Sequence, residues 1–459
     1  MEQITKPHCG ARLDRLPDCR WHSSMFAIVA FGLLVCWSNA VGGLILAQLK
    51  ALGWTDNSTT ATFSAITTAG MFLGALVGGI IGDKTGRRNA FILYEAIHIA
   101  SMVVGAFSPN MDFLIACRFV MGVGLGALLV TLFAGFTEYM PGRNRGTWSS
   151  RVSFIGNWSY PLCSLIAMGL TPLISAEWNW RLQLLIPAIL SLIATALAWR
   201  YFPESPRWLE SRGRYQEAEK VMRSIEEGVI RQTGKPLPPV VIADDGKAPQ
   251  AVPYSALLTG VLLKRVILGS CVLIAMNVVQ YTLINWLPTI FMTQGINLKD
   301  SIVLNTMSMF GAPFGIFIAM LVMDKIPRKT MGVGLLILIA VLGYIYSLQT
   351  SMLLITLIGF FLITFVYMYV CYASAVYVPE IWPTEAKLRG SGLANAVGRI
   401  SGIAAPYAVA VLLSSYGVTG VFILLGAVSI IVAIAIATIG IETKGVSVES
   451  LSIDAVANK

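Results

Sequence analysis

Twelve stretches of about twenty apolar residues run through this chain, and they leave few folds open to it. They lie near residues 25–47, 62–82, 90–107, 113–137, 148–170, 181–202, 259–285, 302–323, 331–348, 354–377, 391–413 and 418–440. A helix rises about 1.5 Å per residue, so each run is of the length that crosses the roughly 30 Å hydrocarbon core of a bilayer. Lipid offers the backbone no hydrogen bonds, so each run must satisfy its own as a helix. Only 12% of the 459 residues are charged, about half the share found in soluble globular chains. Six runs, a hydrophilic insert over 203–258 and six more runs predict an all-α membrane protein: twelve transmembrane helices as two six-helix bundles, 1–202 and 259–459.

The net charge of +9 sits in alternate loops. Loops opening near residues 83, 143, 203, 324 and 385 are rich in Lys and Arg, whereas the opposite loops hold Lys50 and Lys299, with Arg181 at a helix start. Basic loops stay in the cytoplasm, which predicts a multi-pass inner-membrane protein with both termini cytoplasmic. The charge reports topology and argues against a nucleic-acid partner. The first 24 residues show no cleavage pattern, so the first span is read as retained. The seven cysteines are scattered without a Cys-x-x-Cys pair, and neither a disulfide, a metal nor a cofactor is expected.

Within the insert, 205–232 carries Trp208, Leu209, Ala218, Val221, Met222 and Ile225 on one helical stripe, which predicts one or two amphipathic helices. Residues 233–253 are rich in Pro, Gly and Asp and read as a flexible linker.

The two halves share more than a layout. Asp83-Lys84-Thr85-Gly86-Arg87-Arg88 is echoed 241 residues later by Asp324-Lys325-Ile326-Pro327-Arg328-Lys329. Glu138, Pro141, Arg145 and Gly146 are echoed by Glu380, Pro383, Arg389 and Gly390, with the two glutamates 242 apart. Two unrelated motifs at one offset indicate a duplicated membrane unit, a plan common among transporters. The charged residues of both copies (Asp83, Arg87, Arg88, Glu138 and Arg145; Asp324, Arg328, Glu380 and Arg389) are candidates for a gate that holds the cytoplasmic side shut. Asp83 is expected either to cap the next helix or to pair with an arginine of the other half. Gly70, Gly74, Gly78 and Gly82 lie four residues apart on the second span. They form either a close-packed ridge or a sliding surface between the halves.

These segments resemble a known family. Gly79-Ile-Ile-Gly-Asp83-Lys84-Thr-Gly86-Arg87-Arg88 and Arg118-Phe-Val-Met-Gly122-Val-Gly124-Leu-Gly126 are similar to signatures of the major facilitator superfamily. Glu138-Tyr-Met-Pro141, Pro203-Glu204-Ser205-Pro206-Arg207-Trp208-Leu209, Pro379-Glu380-Ile-Trp-Pro383 and Glu442-Thr443-Lys444-Gly445 resemble its sugar-porter branch. The chain is also similar to enterobacterial inner-membrane metabolite-transport relatives of that branch. The resemblance covers essentially the whole chain. It implies a secondary transporter working by alternating access, a monomer whose partners are the bilayer, a small polar solute and coupling protons.

The resemblance places substrate contacts in the seventh span, where Asn277, Gln280 and Tyr281 share one face and Asn285 follows. Hydrogen bonding between helices is the alternative for that face. Asn305, Asn395 and Arg399 add donors, and a mid-membrane arginine either receives a carboxylate solute or pairs with a protein acid. In the tenth span Tyr367, Tyr369 and Tyr372 are candidates to stack on a sugar ring, Tyr372 foremost, while Tyr377 and Trp382 read as an interfacial aromatic belt. Arg118, several residues inside the fourth span, is expected to serve gating or coupling.

Two departures from the sugar-porter pattern bear on mechanism. The first span lacks the acidic residue that implies proton coupling, Asn39 being its only strongly polar interior residue. Glu95 and His98, three apart in the third span, either substitute for it or transport is uncoupled. The preferred reading of Glu95 is that it snorkels toward the loop arginines. The tenth span lacks the Pro-x-x-Trp segment, which with Arg399 shifts the expected solute from hexose toward a sugar acid or other organic anion. A uniporter, a transporter-like sensor and a drug effluxer are the alternatives. No nucleophile triad or metal cluster supports an enzyme.

Overall fold

The computed structural model describes residues 7–17, 19–141, 145–240, 253–323, 325–383 and 386–444. These residues are helical, with connecting turns. In chain order the helices are α1 (Cys9–Asp14), α2 (Arg20–Val35), α3 (Gly42–Ala51), α4 (Asn57–Thr85), α5 (Arg87–Ala106), α6 (Met111–Tyr139), α7 (Arg145–Asn157), α8 (Ser159–Leu170), α9 (Ala176–Tyr201), α10 (Pro206–Ser211), α11 (Tyr215–Thr233), α12 (Tyr254–Leu257), α13 (Gly260–Thr293), α14 (Leu298–Met309), α15 (Gly311–Val322), α16 (Arg328–Ser347), α17 (Met352–Cys371), α18 (Val378–Glu380) and α19 (Lys387–Ile439). A π-helical turn, Tyr372–Tyr377, joins α17 to α18.

Nine helices among the described residues are long and apolar enough to cross a membrane. The twelve spans of the fold are recovered from three irregularities. The first span is broken, α2 giving way to a turn over 36–41 before α3. The fifth span is interrupted at Trp158 between α7 and α8. The eleventh and twelfth spans run together as α19, divided by Gly417 at φ 64° and ψ −160°. That left-handed backbone suits glycine, which has no Cβ to clash.

Two compact units divide the chain. Unit 1 holds Met1–Asn39, Gly70–Ser159 and Leu184–Gly246; unit 2 holds Ala40–Ala69, Tyr160–Gln183 and Lys247–Lys459. They do not follow the sequence halves, because spans one, two, five and six each change unit part-way along.

In unit 1, α4 packs on α6 through the glycine stripe. A Cβ at Gly70, Gly74 or Gly78 would strike the backbone of Phe119, Val123 or Ala127, and one at Gly126 would strike Met71. The sliding-surface reading is therefore corrected: these glycines face a helix of their own unit, and their smoothness serves close packing. Leu73, Leu76, Val77 and Ile80 of α4 are exposed, a run that lipid covers.

The amphipathic insert is α10 and α11. Ala218, Met222, Ile225 and Val229 of α11 are buried with Cys9, Leu13 and Leu16. The N-terminal helix α1 thus docks on the insert, held by Arg12 to Glu219 and Glu226, Arg15 to Glu226 at 2.7 Å, and Arg207 to Asp14 at 2.9 Å.

Candidate functional site

Unit 2 contains a polar patch built on the seventh span. Asn277 and Tyr281, one turn apart on α13, lie against Gly398 and Gly402, one turn apart on α19, so a four-residue spacing on one helix meets the same spacing on the other. Asn277 Nδ2 donates to the Leu273 carbonyl at 2.7 Å. The buried Tyr367 hydroxyl of α17 faces the side chains of Tyr160, Gln280 and Tyr281. Tyr160 and Tyr367 rings meet edge-on at 5.4 Å. Asn305 Nδ2 of α14 donates to Ser164 Oγ of α8 at 3.2 Å, and its Oδ1 has no partner among the described residues. Buried polar atoms without partners cost about 1–3 kcal/mol each, and a polar solute supplies such partners when it binds.

Asn285 is buried, and the backbone at 284–285 abuts Gly43 of α3, where a Cβ would collide with it. On α19, Asn395 donates to the Ser391 carbonyl at 2.9 Å. Arg399 has a buried guanidinium nitrogen with no partner among the described residues.

Tyr372 is fully buried, stacks on Tyr377 at 5.0 Å and lies over Gly332, near Arg328 and Glu442, and its hydroxyl has no hydrogen-bond partner among the described residues. The aromatic-belt reading of Tyr377 and Trp382 is corrected, since both are buried. Tyr377 instead accepts a hydrogen bond from the Ile441 amide at 3.0 Å.

The charged loops form two matching clusters, each closed within its own unit. In unit 1, Arg87 Nε donates to Glu138 at 2.9 Å and Arg87 donates to Asp83 at 2.7 Å. Glu204 Oε1 accepts from the amides of Arg87 at 2.7 Å, Arg88 at 3.2 Å and Ser205 at 2.9 Å. Arg88 donates to the Trp199 carbonyl at 2.5 Å. The partner of Asp83 is thus an arginine of the same loop rather than one of the other half, and its carbonyl takes the indole of Trp208 at 2.7 Å and Arg212 at 2.5 Å.

In unit 2, Arg328 donates to both oxygens of Glu380, at 3.0 and 3.2 Å, and Thr443 donates to the same carboxylate at 2.6 Å. Glu442 accepts from the amides of Arg328 at 2.7 Å and Lys329 at 3.1 Å. Burial pushes the Glu442 carboxyl up, but these amides, with that of Lys444, hold it below the ordinary range. Arg389 stacks on Tyr254 at 5.2 Å. Asp324 and the Arg145 side chain lie outside the described residues.

Glu204 and Glu442 are the residues that sequence reasoning missed as partners. Each caps the amino terminus of the helix that begins at the clustered arginine, where backbone amides and the helix dipole favour an anion. Their 238-residue separation, close to the offset of the other repeated motifs, was the available signal.

A third cluster lies at the break of the first span, in unit 1. Arg118 is buried and donates to the Ser38 carbonyl, and His98 Nε2 lies 2.7 Å from Ser38 Oγ. His98 Nδ1 stands 3.6 Å from Glu95, and both side chains are inaccessible. Glu95 does not snorkel to the loop arginines, which correct that reading by spending themselves on Asp83, Glu138 and Trp199.

A family model described as the Major Facilitator Superfamily matches residues 25–406. The chain is 44% identical over 455 residues to the inner membrane metabolite transport protein YdjE of Escherichia coli (strain K12), covering 98% of this chain and 99% of that protein. It is 26% identical over 448 residues to the niacin transporter NiaP of Acinetobacter baylyi (strain ATCC 33305 / BD413 / ADP1), covering 96% and 99%. The inward open conformation of the xylose transporter XylE from E. coli matches with a TM-score of 0.74 at 17% identity, over 94% of this chain and 99% of that one. That likeness is one of fold.

Proposed function

Because this chain is a metabolite transporter belonging to the major facilitator superfamily, we propose that it moves a small polar solute, a sugar or sugar acid, across the inner membrane by alternating access coupled to protons. The carrying observation is the patch around Gln280, Tyr367, Asn305 and Arg399, where buried polar atoms await partners inside a membrane fold. Asn277, Tyr281, Asn285 and Asn395 belong to the same proposal as further contacts.

Within unit 2, pieces from both halves of the sequence meet at the ends opposite the charged loops. Gly43 abuts 284–285, Asn57 donates to Ser414 at 2.9 Å and Asn305 reaches Ser164. Such cross-repeat contacts support one closed side of an alternating cycle, with basic loops and both termini on the cytoplasmic side. The two charge clusters are the elements proposed to rearrange when that side closes.

A second reading, transport of an organic anion, is favoured by the unpartnered nitrogen of Arg399 and accords with the niacin specificity in the name of one relative. A thermal-shift screen of sugars, sugar acids and short carboxylates on purified protein tests both. A solute at a hundred times its Kd stabilises by about 2.7 kcal/mol. If Arg399→Ala leaves affinity for every transported solute unchanged, the anion reading fails. Uptake that neither alkalinises the medium nor responds to an uncoupler indicates a uniporter. Binding without counterflow in proteoliposomes indicates a sensor.

A further inference from the structure

The first span of this chain carries no acid, yet unit 1 buries one beside the break in that span. Glu95 is wholly inaccessible, and neither carboxyl oxygen has a hydrogen-bond donor among the described residues. His98 Nδ1 stands 3.6 Å from it, itself without a hydrogen bond among the described residues. A structural ion pair would have its remaining lone pairs satisfied, because an uncompensated buried charge costs several kcal/mol. At 3.6 Å the two groups stand within ion-pair range but too far apart for a hydrogen bond, and the carboxyl lone pairs find no donor among the described residues.

The groups around the pair are few. From the end of α2 the Cys36 thiol faces Glu95. From α6, Gly124 lies against His98, and Arg118 holds the Ser38 carbonyl. From α5 itself, Tyr94 donates to the Gly78 carbonyl of α4 at 3.0 Å. Among the described residues no lysine or arginine pairs with Glu95.

The geometry points to Glu95 and His98 as the site where this chain binds and releases a coupling proton, with the break at Ser38 as the element that senses it. The inference rests on the proposed transport function. The step is a simple proton exchange: a proton adds to a Glu95 carboxylate oxygen, forming the acid, and leaves to restore the anion. With Glu95 protonated, His98 Nδ1 is bare and Nε2–H donates to Ser38 Oγ. With Glu95 ionised, the imidazole proton is drawn to Nδ1, facing the carboxylate. Nε2 then becomes an acceptor and the Ser38 hydroxyl must turn round to donate. Ser38 lies in the turn between α2 and α3, one residue before Asn39, where the chain leaves unit 1. A change of proton occupancy is thereby transmitted to the irregular backbone, which in a membrane is tolerated only where side chains such as Arg118 satisfy it.

Infrared titration of the full chain in nanodiscs tests this without any solute. The expected result is a carbonyl-stretch band of a buried, non-hydrogen-bonded carboxylic acid that disappears as pH is raised. E95Q should lack the band at every pH, and H98Q should move its midpoint. A wild-type protein with no such band, or an E95Q protein that keeps it, overturns the assignment. The wild-type band decides even if a variant fails to fold. In proteoliposomes E95Q should retain counterflow and lose all uncoupler-sensitive accumulation. Wild-type flux together with undiminished accumulation by E95Q sinks the proton site and spares the transport reading. A wild-type protein that moves no solute sinks the transport reading, while the band still judges the proton site.

Discussion

Replacing Glu204 with alanine isolates the contribution of one carboxylate to the amino-terminal charge cluster. Glu204 Oε1 is the common acceptor for three amides, those of Arg87, Arg88 and Ser205. Two of them open α5, and hydrogen bonds to a charged group contribute about 1.5–3 kcal/mol in favourable cases. Glu204 is only partly buried, and water replaces part of what is lost, so a net cost of about 2 kcal/mol to the closed helix start is expected. That corresponds to about a 30-fold increase in the population of the frayed start. Lys84, Arg87 and Arg88 make this segment a tryptic site, and cleavage of a transiently opened segment follows the opening equilibrium when reclosing is fast. Cleavage at Arg87–Arg88 in Glu204→Ala should therefore accelerate about 30-fold. Glu204→Gln keeps the acceptor and loses the charge, a difference of about 1 kcal/mol, so it should accelerate about fivefold. An alanine variant cleaved within a factor of two of wild type would refute the capping argument.

Gly74→Ala should lower the apparent unfolding temperature in detergent, because its methyl meets the Val123 backbone, at a cost of about 1–3 kcal/mol. Gly79→Ala, whose methyl meets no neighbour within 4 Å, should stabilise slightly through helix propensity, by up to about 1 kcal/mol. Equal effects would disprove the packing account of the stripe. Arg12→Ala should loosen α1 from α11 and raise the labelling rate of the buried Cys9 about fivefold, the modest value suiting a partly exposed ion pair. Burial opposes ionisation of Glu226, but Arg12 and Arg15 hold its carboxyl below the ordinary 4.5. Its stabilising share is therefore intact above that ordinary value and fades as pH falls through the lowered one. Cys9 labelling by an acid-tolerant disulfide reagent should rise over that acid range, and a flat profile would count against the clasp.

What the sequence made legible follows from how each feature is encoded. Span length and apolarity are local properties, so the twelve-helix plan was readable from hydropathy. The break in the first span was not, because Cys36-Trp37-Ser38-Asn39-Ala40-Val41 is apolar enough to pass for helix. Docking of α1 depends on Cys9, Leu13 and Leu16, three residues at helical spacing inside a short mixed-charge segment that has little helical signal alone. Which tyrosine of the tenth span faces a solute was not legible, because a run of tyrosines carries no face: five residues turn a helix by about 140°, so Tyr367 and Tyr372 look in different directions, Tyr367 toward Gln280 and Tyr372 over Gly332.

The two charge clusters differ in the residue that precedes the capped helix, and this separates the loop from the geometry it serves. Gly86 has φ 97° and ψ 164°, and a Cβ there would strike the Glu204 carboxylate. Pro327 occupies the matching position at φ −56° and ψ 140°, yet Glu442 still reaches the amides of Arg328 and Lys329. The invariant of the duplication is thus a carboxylate on the first amides of a helix, reached by two different backbone paths. Gly86→Ala should be costly, since the positive φ alone is worth about 1–3 kcal/mol and the methyl also displaces Glu204. Pro327→Gly should cost about 0.4–1 kcal/mol through the unfolded chain, with its carboxylate cap unaffected. Tryptic cleavage at the two loops should then rise steeply in Gly86→Ala and slightly in Pro327→Gly. Equal sensitivity of the two loops would mean that the loop backbone, and not the placement of Glu204 and Glu442, fixes the clusters.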